Sequence, residues 1–462
     1  MSGSAREIVQ FARDADSLSE GMSPEEVASA HDAVSVGGLV YPWGCQYPPR
    51  AVPEWREGFR VGLRGQDPES VLDAHQCILS MSEGWGNPRI EAAIRHFRER
   101  YQGVDMVDTS QLSPQAILLL KELKDLLNPY GDFRGLLASS GSLANNQAIA
   151  LCMASLGGEE RTQMVAMEGG YGGRDLATNA MLCTAPGWTG DTTLQSLAAK
   201  AIRVNRDGSN LDQALEQMRK AYTEGRSPLW HTEDGIQGVG GFHVYPPELM
   251  RALAEEVTRL HGKKIYDEVQ TFVRNSAGPL GMDLWGDRNN PAHRPDAVTF
   301  AKGLGNGHGI GATMVSEDTL RAVAAGRKPG NTFDTFSQPL DGIVAARMVL
   351  RMVLEKEQWK NVAARSARFK RQTADFQKRY PDVVAEVVGT GGMVGLRLTS
   401  PAMAIRALTL APQKGVIFAK GGKGDILRTS LPFSVTDAFV DELCGCLADV
   451  MQELQQASEK SA

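Results

Sequence analysis

The chain has 462 residues, room for two or three units at roughly 100–200 residues per domain, and its 42% hydrophobic and 23% charged content is that of a globular protein. Its 49 Lys and Arg against 55 Asp and Glu leave a formal charge of −6 with no long basic run, which argues against a nucleic-acid-binding surface. No apolar run of about 18 residues offers a membrane span, and the first residues lack the basic and apolar regions of a secretory signal, so nucleic acid and membrane are excluded as partners and a cytoplasmic location is expected. Six scattered cysteines (Cys45, Cys77, Cys152, Cys183, Cys444, Cys446) form no C-x-x-C pair, and the eight histidines form no H-x-x-x-H pair, so neither a disulfide scaffold nor a metal site is expected.

In chain order, the first 80 residues are irregular, with Gly, Pro and Trp punctuating 40–53. Ser113-Pro114 supplies an N-cap and a favourable first helical position, and Ala116, Leu119, Leu120, Leu123, Leu126 and Leu127 follow at helical spacing until Asn128-Pro129 stops them. Short apolar runs at 135–138, 164–167, 228–231, 264–269, 297–300 and 312–315 read as strands, and 247–261 is an amphipathic helix between two of them. Strands alternating with helices predict βαβ crossovers and a largely parallel sheet. After Pro339 a long helical stretch runs to about Tyr380, 383–398 and 415–430 read as strand-and-turn pieces, and a last helix covers 436–456. This predicts a large α/β domain over 81–338 and a smaller α+β domain over 339–462. The segment 1–80 is expected to complete the small domain and to contribute active-site and dimer contacts.

Four segments carry chemistry. In the first, an apolar strand runs through Ala301 straight into Lys302, and four of the next seven residues are glycine. Open α/β sheets bind ligands at such strand ends, although a solvated loop lysine gives the same local pattern. In the second, Lys264-Ile265-Tyr266-Asp267-Glu268-Val269-Gln270-Thr271, alternation puts Asp267 and Val269 on one face. An aspartate under a pyridine nitrogen and a valine against a ring face are what a pyridoxal phosphate site requires; an aspartate capping a loop is the plainer alternative. In the third, Ser139-Ser140-Gly141-Ser142 turns a strand into a helix whose free N–H groups suit a phosphate. In the fourth, Glu168-Gly169-Gly170-Tyr171-Gly172-Gly173-Arg174 sets an aromatic among glycines, able to lie flat on a cofactor ring.

Together, in this order and spacing, these segments resemble the class III (ornithine- and acetylornithine-type) aminotransferases of pyridoxal phosphate fold type I. The likeness covers roughly 81–431. It is most specific in Asp267-Glu268-Val269-Gln270-Thr271 and in Pro295-Asp296 through Ala301-Lys302-Gly303-Leu304 to Ile310-Gly311-Ala312, with Ser140-Gly141-Ser142-Leu143-Ala144-Asn145 and Gln237-Gly238-Val239-Gly240-Gly241 as further matches.

The resemblance implies a large domain with a mostly parallel seven-stranded sheet and the cofactor pyridoxal 5′-phosphate. It implies transfer of an amino group between an amino acid or amine and a 2-oxo acid. Lys302 would hold the cofactor as an imine and move the α-proton, and Asp267 would pair with the ring nitrogen. Tyr171 and Val269 would sandwich the ring, Gln270 would bind its phenolic oxygen, and Ser140, Gly141 and Ser142 would hold the phosphate. It further implies a homodimer with shared sites, in which Thr335, with Thr332 as the alternative, reaches the partner's phosphate. Arg428 would clamp the substrate carboxylate, as a bidentate guanidinium does well, and Trp43 would line the pocket or simply pack at the surface. The chain departs from the family pattern at Gly172, where His is usual, at Asp234-Gly235 for Glu-Pro, at Val239 for Glu, and at His308. These departures keep an alternative open: decarboxylation, racemisation, or γ-elimination or replacement with carbon–carbon bond formation on the same cofactor.

Overall fold

In the computed structural model, residues 53–63, 70–101, 112–175, 201–326 and 335–460 are described, together with 178, 179 and 182. Three short strands, β1 (Pro53–Glu57), β2 (Arg60–Leu63) and β3 (Ser70–Asp73), lead to the helix α1 (Pro88–Tyr101). In α2 (Pro114–Leu127) Ser113 caps the helix, its hydroxyl accepting the Ala116 N–H at 3.1 Å, and Ala116, Leu119, Leu123, Leu126 and Leu127 face inward. Next come β4 (Phe133–Ala138), α3 (Gly141–Ser155), β5 (Thr162–Met167), β6 (Ile202–Val204), α4 (Leu211–Thr223), β7 (Ser227–Glu233) and the small ribbon β8 (Ile236–Gln237) and β9 (His243–Val244). They are followed by α5 (Pro247–Arg259), β10 (Lys263–Asp267), β11 (Ala297–Phe300), β12 (Gly311–Ser316) and α6 (Glu317–Ala325).

Seven of these strands make one sheet in the order β4-β12-β11-β10-β7-β5-β6. Neighbours from β11 through β6 pair in parallel, and only β12 runs against both of its neighbours. Such a sheet is covered on both faces, so its strands are continuously apolar: all six residues of β5 and all four of β11 are buried. The parallel sense brings the C-terminal ends of β7, β10 and β11 to one edge, which is where the site forms.

The predicted long helix after Pro339 is two helices, α7 (Leu340–Lys356) and α8 (Gln358–Thr373), followed by a single turn at Phe376–Arg379. The break is at Glu357, whose φ of 44° is left-handed. Gly342 lets α7 approach the site, since a Cβ there would lie 2.4 Å from the Gly309 carbonyl oxygen. The chain ends in β13 (Val384–Thr390), β14 (Met393–Leu398), α9 (Pro401–Leu410), β15 (Val416–Ile417), β16 (Ala419–Gly421), β17 (Ile426–Ser430) and α10 (Asp437–Glu459). β13-β14-β17-β16 form an antiparallel sheet, while β15 pairs in parallel with β3, so the N-terminal strands join the C-terminal core that contains Leu72, Phe369, Leu396 and Leu447. No helix among the described residues is long and apolar enough to cross a membrane.

Left-handed backbone costs a side-chain-bearing residue roughly 1–2 kcal/mol, part of which glycine returns in unfolded-state entropy. Glu357→Gly is therefore expected to raise stability by about 0.5–1 kcal/mol, read as a higher urea midpoint at unchanged slope.

Candidate functional site

A cavity of about 420 Å³ opens at the C-terminal edge of the large sheet. Lys302 reaches it two residues beyond β11, and its own φ of 47° turns the chain from the strand into the tight turn Lys302–Gly305. The Ser82 hydroxyl donates to the Gly303 carbonyl at 2.5 Å and the Leu304 N–H to that of Ala301 at 3.0 Å, which holds this strained backbone in place.

Asp267 ends β10 and is 4% exposed. Its Oδ2 accepts from the Asn145 amide at 2.7 Å, its Oδ1 from the Val269 N–H at 2.9 Å, and His231 Nε2 stands 3.6 Å from Oδ2. Thr299 donates at 2.7 Å to Asn145 Oδ1, which fixes the amide so that its NH2 faces the carboxylate. Burial pushes the Asp267 carboxyl up to about 6 against the pull of these donors and of Lys302. Burial lowers the Lys302 amine to about 8, opposed by Asp267. Burial also holds His231 at about 3, so its imidazole is neutral and adds no competing charge at the carboxylate.

The turn after β4 delivers the N-terminus of α3. Ser140 is its N-cap, with its hydroxyl accepting from Leu143 N at 3.4 Å, and Ser140, Gly141 and Ser142 line the cavity. A Cβ at Gly141 would come within 2.9 Å of both Val269 methyls, so only glycine lets the helix start lie against that wall. The Ser142 hydroxyl accepts the Arg174 N–H at 3.1 Å, and Arg174 Nε donates to the Tyr171 hydroxyl at 3.2 Å. Tyr171, Val269 and Gln270 all line the cavity, but Val269 lies in the turn beyond β10 rather than on the strand. It shares a wall with Asp267 because its N–H bonds that carboxylate, not because of strand alternation.

Arg428, on β17, lines the same cavity with its guanidinium 5.7 Å above the Phe242 ring and its Nε donating to the Lys420 carbonyl at 3.2 Å. Nine of the expected site residues thus meet in one cavity: Lys302, Asp267, Ser140, Gly141, Ser142, Tyr171, Val269, Gln270 and Arg428. Thr335 is exposed and stands outside this lining; Trp43 and Thr332 lie outside the described residues.

Four residues to which the sequence assigned no role complete the site: Asn145 and Thr299, both inside matched motifs, and His231 and Glu233. Glu233 pairs in register with Asp267 across β7 and β10. Its carboxyl accepts from the N–H groups of Tyr171 at 3.2 Å and Gly238 at 2.9 Å and from the Gln270 amide at 3.4 Å, so one group ties three walls together. Burial, and then the Asp267 charge, push it up to about 8. The available signal was an acidic residue ending a buried strand, the pattern that marks Asp267 itself.

The profile described as aminotransferase class-III matches residues 51–451. The chain belongs to the class III aminotransferases. Among its relatives, a 5-aminovalerate aminotransferase of Pseudomonas putida is 25% identical over 403 residues, covering 83% of this chain and 90% of the relative. Acetylornithine aminotransferase 1 of Bradyrhizobium diazoefficiens is 29% identical over 312 residues, 67% of this chain and 70% of the relative. The fold matches an (S)-enantioselective omega-transaminase from Thermomicrobium roseum with a TM-score of 0.78 at 21% identity, covering 94% of this chain and 99% of that one. It also matches the PLP-bound amine transaminase of an uncultivated Pseudomonas species with a TM-score of 0.73 at 21% identity, covering 87% and 95%.

This aminotransferase is therefore a pyridoxal-phosphate-dependent enzyme of fold type I. The cavity fits that group. The buried Gln270 Oε1 lacks a hydrogen-bond partner, a helix N-terminus and two serines stand at one end, and a carboxylate and an amine face the space between.

A carboxyl raised from 3.8 to about 6 favours the folded state fully only below its unfolded value, and that contribution is lost as pH rises through 6. Asp267→Asn is accordingly expected to stabilise the cofactor-free protein at pH 8. The gain should shrink as pH falls through 6 and vanish below the unfolded value, as thermal melts at several pH values would show.

Proposed function

We propose that this enzyme moves an amino group between an amino acid or amine and a 2-oxo acid, with Lys302 as the reacting amine and Asp267 as its electrostatic counterpart. The observation that carries the reading is the convergence of both groups, from the ends of two adjacent parallel strands, on one cavity with a helix N-terminus at its side. When bound, pyridoxal phosphate supplies an electron-accepting ring that stabilises the charge left at the substrate carbon when its C–H bond breaks.

The chain's own residues do the rest. Asp267, kept in a water-poor setting, holds a proton on the ring nitrogen by pairing with it. Lys302, lowered to about 8, has a substantial neutral fraction near pH 7.5 and can take the substrate proton and return it one position along. Tyr171 and Val269 would confine the ring, Gln270 would bind its phenolic oxygen, and Ser140, Gly141 and Ser142 would hold the phosphate at the start of α3. Arg428 orients a substrate carboxylate through two parallel N–H donors.

The working unit in this reading is a cytoplasmic homodimer acting in amino-acid metabolism, with Thr335 completing the phosphate site of the second copy. Support comes from the apolar surface beside it: Phe336 is 65% exposed, Leu112 56% and Ile117 52%, and the Ser113 N–H donates to Gln338, which brings the two segments together. The division into a large domain over 81–338 and a small one over 339–462 joined by 1–80 is part of the same reading. It is supported by two apolar cores, with α7 and Phe433 packed into the one that holds the large sheet and Leu72 and Ala74 into the other.

Borohydride reduction of the loaded enzyme should fix the cofactor to the peptide bearing Lys302, and Lys302→Ala should lose roughly 10³-fold or more in turnover. Cofactor fixed to any other side chain would falsify the reading. A donor panel spanning α-amino acids, 5-aminovalerate, N-acetylornithine and simple amines should convert the bound cofactor to its amine form with release of the matching oxo compound. Arg428→Lys should raise KM about tenfold for donors that carry a carboxylate and leave simple amines unaffected, because a point charge cannot match the guanidinium fork. Sedimentation should give twice the mass of one chain, and Phe336→Asp should shift it toward the monomer.

A further inference from the structure

Between β3 and α1 the chain makes a turn that almost no L-residues make. Gln76, Cys77, Ile78 and Leu79 have successive φ values of 48°, 46°, 57° and 65°, and none is glycine. Cys77 and Ile78 form one wall of the cavity. Asp73 holds the start of the turn by accepting the N–H groups of His75 at 3.1 Å and Gln76 at 2.7 Å, and the Gln76 amide donates to the Ser430 carbonyl at 2.8 Å. The far end is held by one side chain, Arg274.

Arg274 is 0% exposed. Its Nη2 donates to the Leu79 carbonyl at 2.8 Å, its Nη1 to the Gln270 carbonyl at 3.5 Å, and its guanidinium lies 4.8 Å over the Phe433 ring. It also lies against the residue after Lys302: a Cβ on Gly303 would be 2.9 Å from Nη1. Its own carbonyl accepts the Gly392 N–H at 2.7 Å, which ties the same residue to the β13–β14 hairpin. Among the described residues the one carboxyl acting on it is Glu83, whose own burial holds it above the ordinary carboxyl range, and Arg274 Nε has no hydrogen-bond partner. A guanidinium buried this deeply without an ion pair is costly, and hydrophobic packing alone would be met better by methionine.

We propose that Arg274 is a positioning residue of this aminotransferase: its fork pins the left-handed turn that walls the substrate space, and its fixed charge stands beside Lys302. The fork explains why four strained residues persist, because two carbonyls on different segments are held by one planar group. The charge works with the rest of the surroundings of Lys302, which are Asp267 from β10, Glu233 from β7 and Arg428 from β17, with Tyr171, Arg174, Cys77 and His308 across the cavity. Two cations, Arg428 and Arg274, favour the neutral amine there, while two carboxyls oppose them.

The inference rests on Lys302 being the reacting amine, so its test reads that amine without the cofactor. Arg274→Met and Arg274→Lys are labelled as apoproteins with limiting acetic anhydride across pH, and modification of the Lys302 peptide is followed by mass spectrometry. Arg274→Met should move the Lys302 midpoint to higher pH by a few tenths of a unit or more, raise KM several-fold, and speed alkylation of Cys77 as the turn loosens. Arg274→Lys should keep the midpoint near that of the parent but still raise KM and Cys77 reactivity, because one ammonium cannot span both carbonyls. In case Arg274→Met folds poorly, the double variant Arg274→Met/Ile78→Gly relieves the turn's backbone strain and should show the same midpoint shift. An unmoved midpoint in the Met variants, or Cys77 reactivity and KM equal to the parent's, overturns the proposal. Borohydride mapping of the loaded parent separates the two readings, since cofactor fixed elsewhere defeats the assignment of Lys302 and leaves the apoprotein titration standing.

Discussion

An amine and a carboxylate removed from water, Lys302 and Asp267, set the terms on which the rest of the site is built. Each is moved toward its neutral form by burial, and each is drawn back by the other. Such a pair is stable only if its remaining hydrogen-bonding capacity is met, and the protein meets it on the carboxylate side with Asn145 and the Val269 N–H. Thr299 fixes the orientation of Asn145, and His231, neutral through burial, adds no charge of its own. A ring with a protonated nitrogen is the natural complement of a carboxylate held in this way.

The same economy of groups appears at the walls. Glu233 accepts from Tyr171, Gly238 and Gln270, so one buried carboxyl sets three segments that come from different parts of the chain. Arg274 does the equivalent, its guanidinium donating to the turn after β3 and the segment after β10 while its own carbonyl accepts from the hairpin of the small sheet. Because neither group is neutralised by a simple ion pair, each is sensitive to the exact placement of its partners. That sensitivity is what makes the cavity a defined shape rather than a gap between two packed cores.

Much of this was legible along the chain. The strand that runs into Lys302, the strand that ends in Asp267 and the Ser-Gly-Ser turn are local patterns, so the residues carry their own signal. What was not legible has a common cause. Asn145 sits in an ordinary helix, His231 and Thr299 in ordinary strands. Thr299 acquires its role when parallel pairing sets it opposite Asp267, whereas Asn145 reaches the carboxylate from the helix α3 and His231 from a strand position two residues before Glu233. Val269 was placed by strand alternation, whereas the strand has already ended and a side-chain-to-backbone bond positions it. The helix predicted through 357 is interrupted by a left-handed glutamate that no propensity favours, because packing of α7 and α8 outweighs the local cost there.

The amino-acid order by itself determined the class of fold, because apolar period and turn residues act over a few positions, and its resemblance to a family supplied the cofactor and the two residues proposed for the chemical centre. Only the tertiary structure decided which polar groups stand behind those residues and how the substrate wall is held. Hydrogen bonds between groups more than a hundred residues apart, such as Thr299 to Asn145 and Arg274 to Leu79, leave no mark on the local pattern at either end.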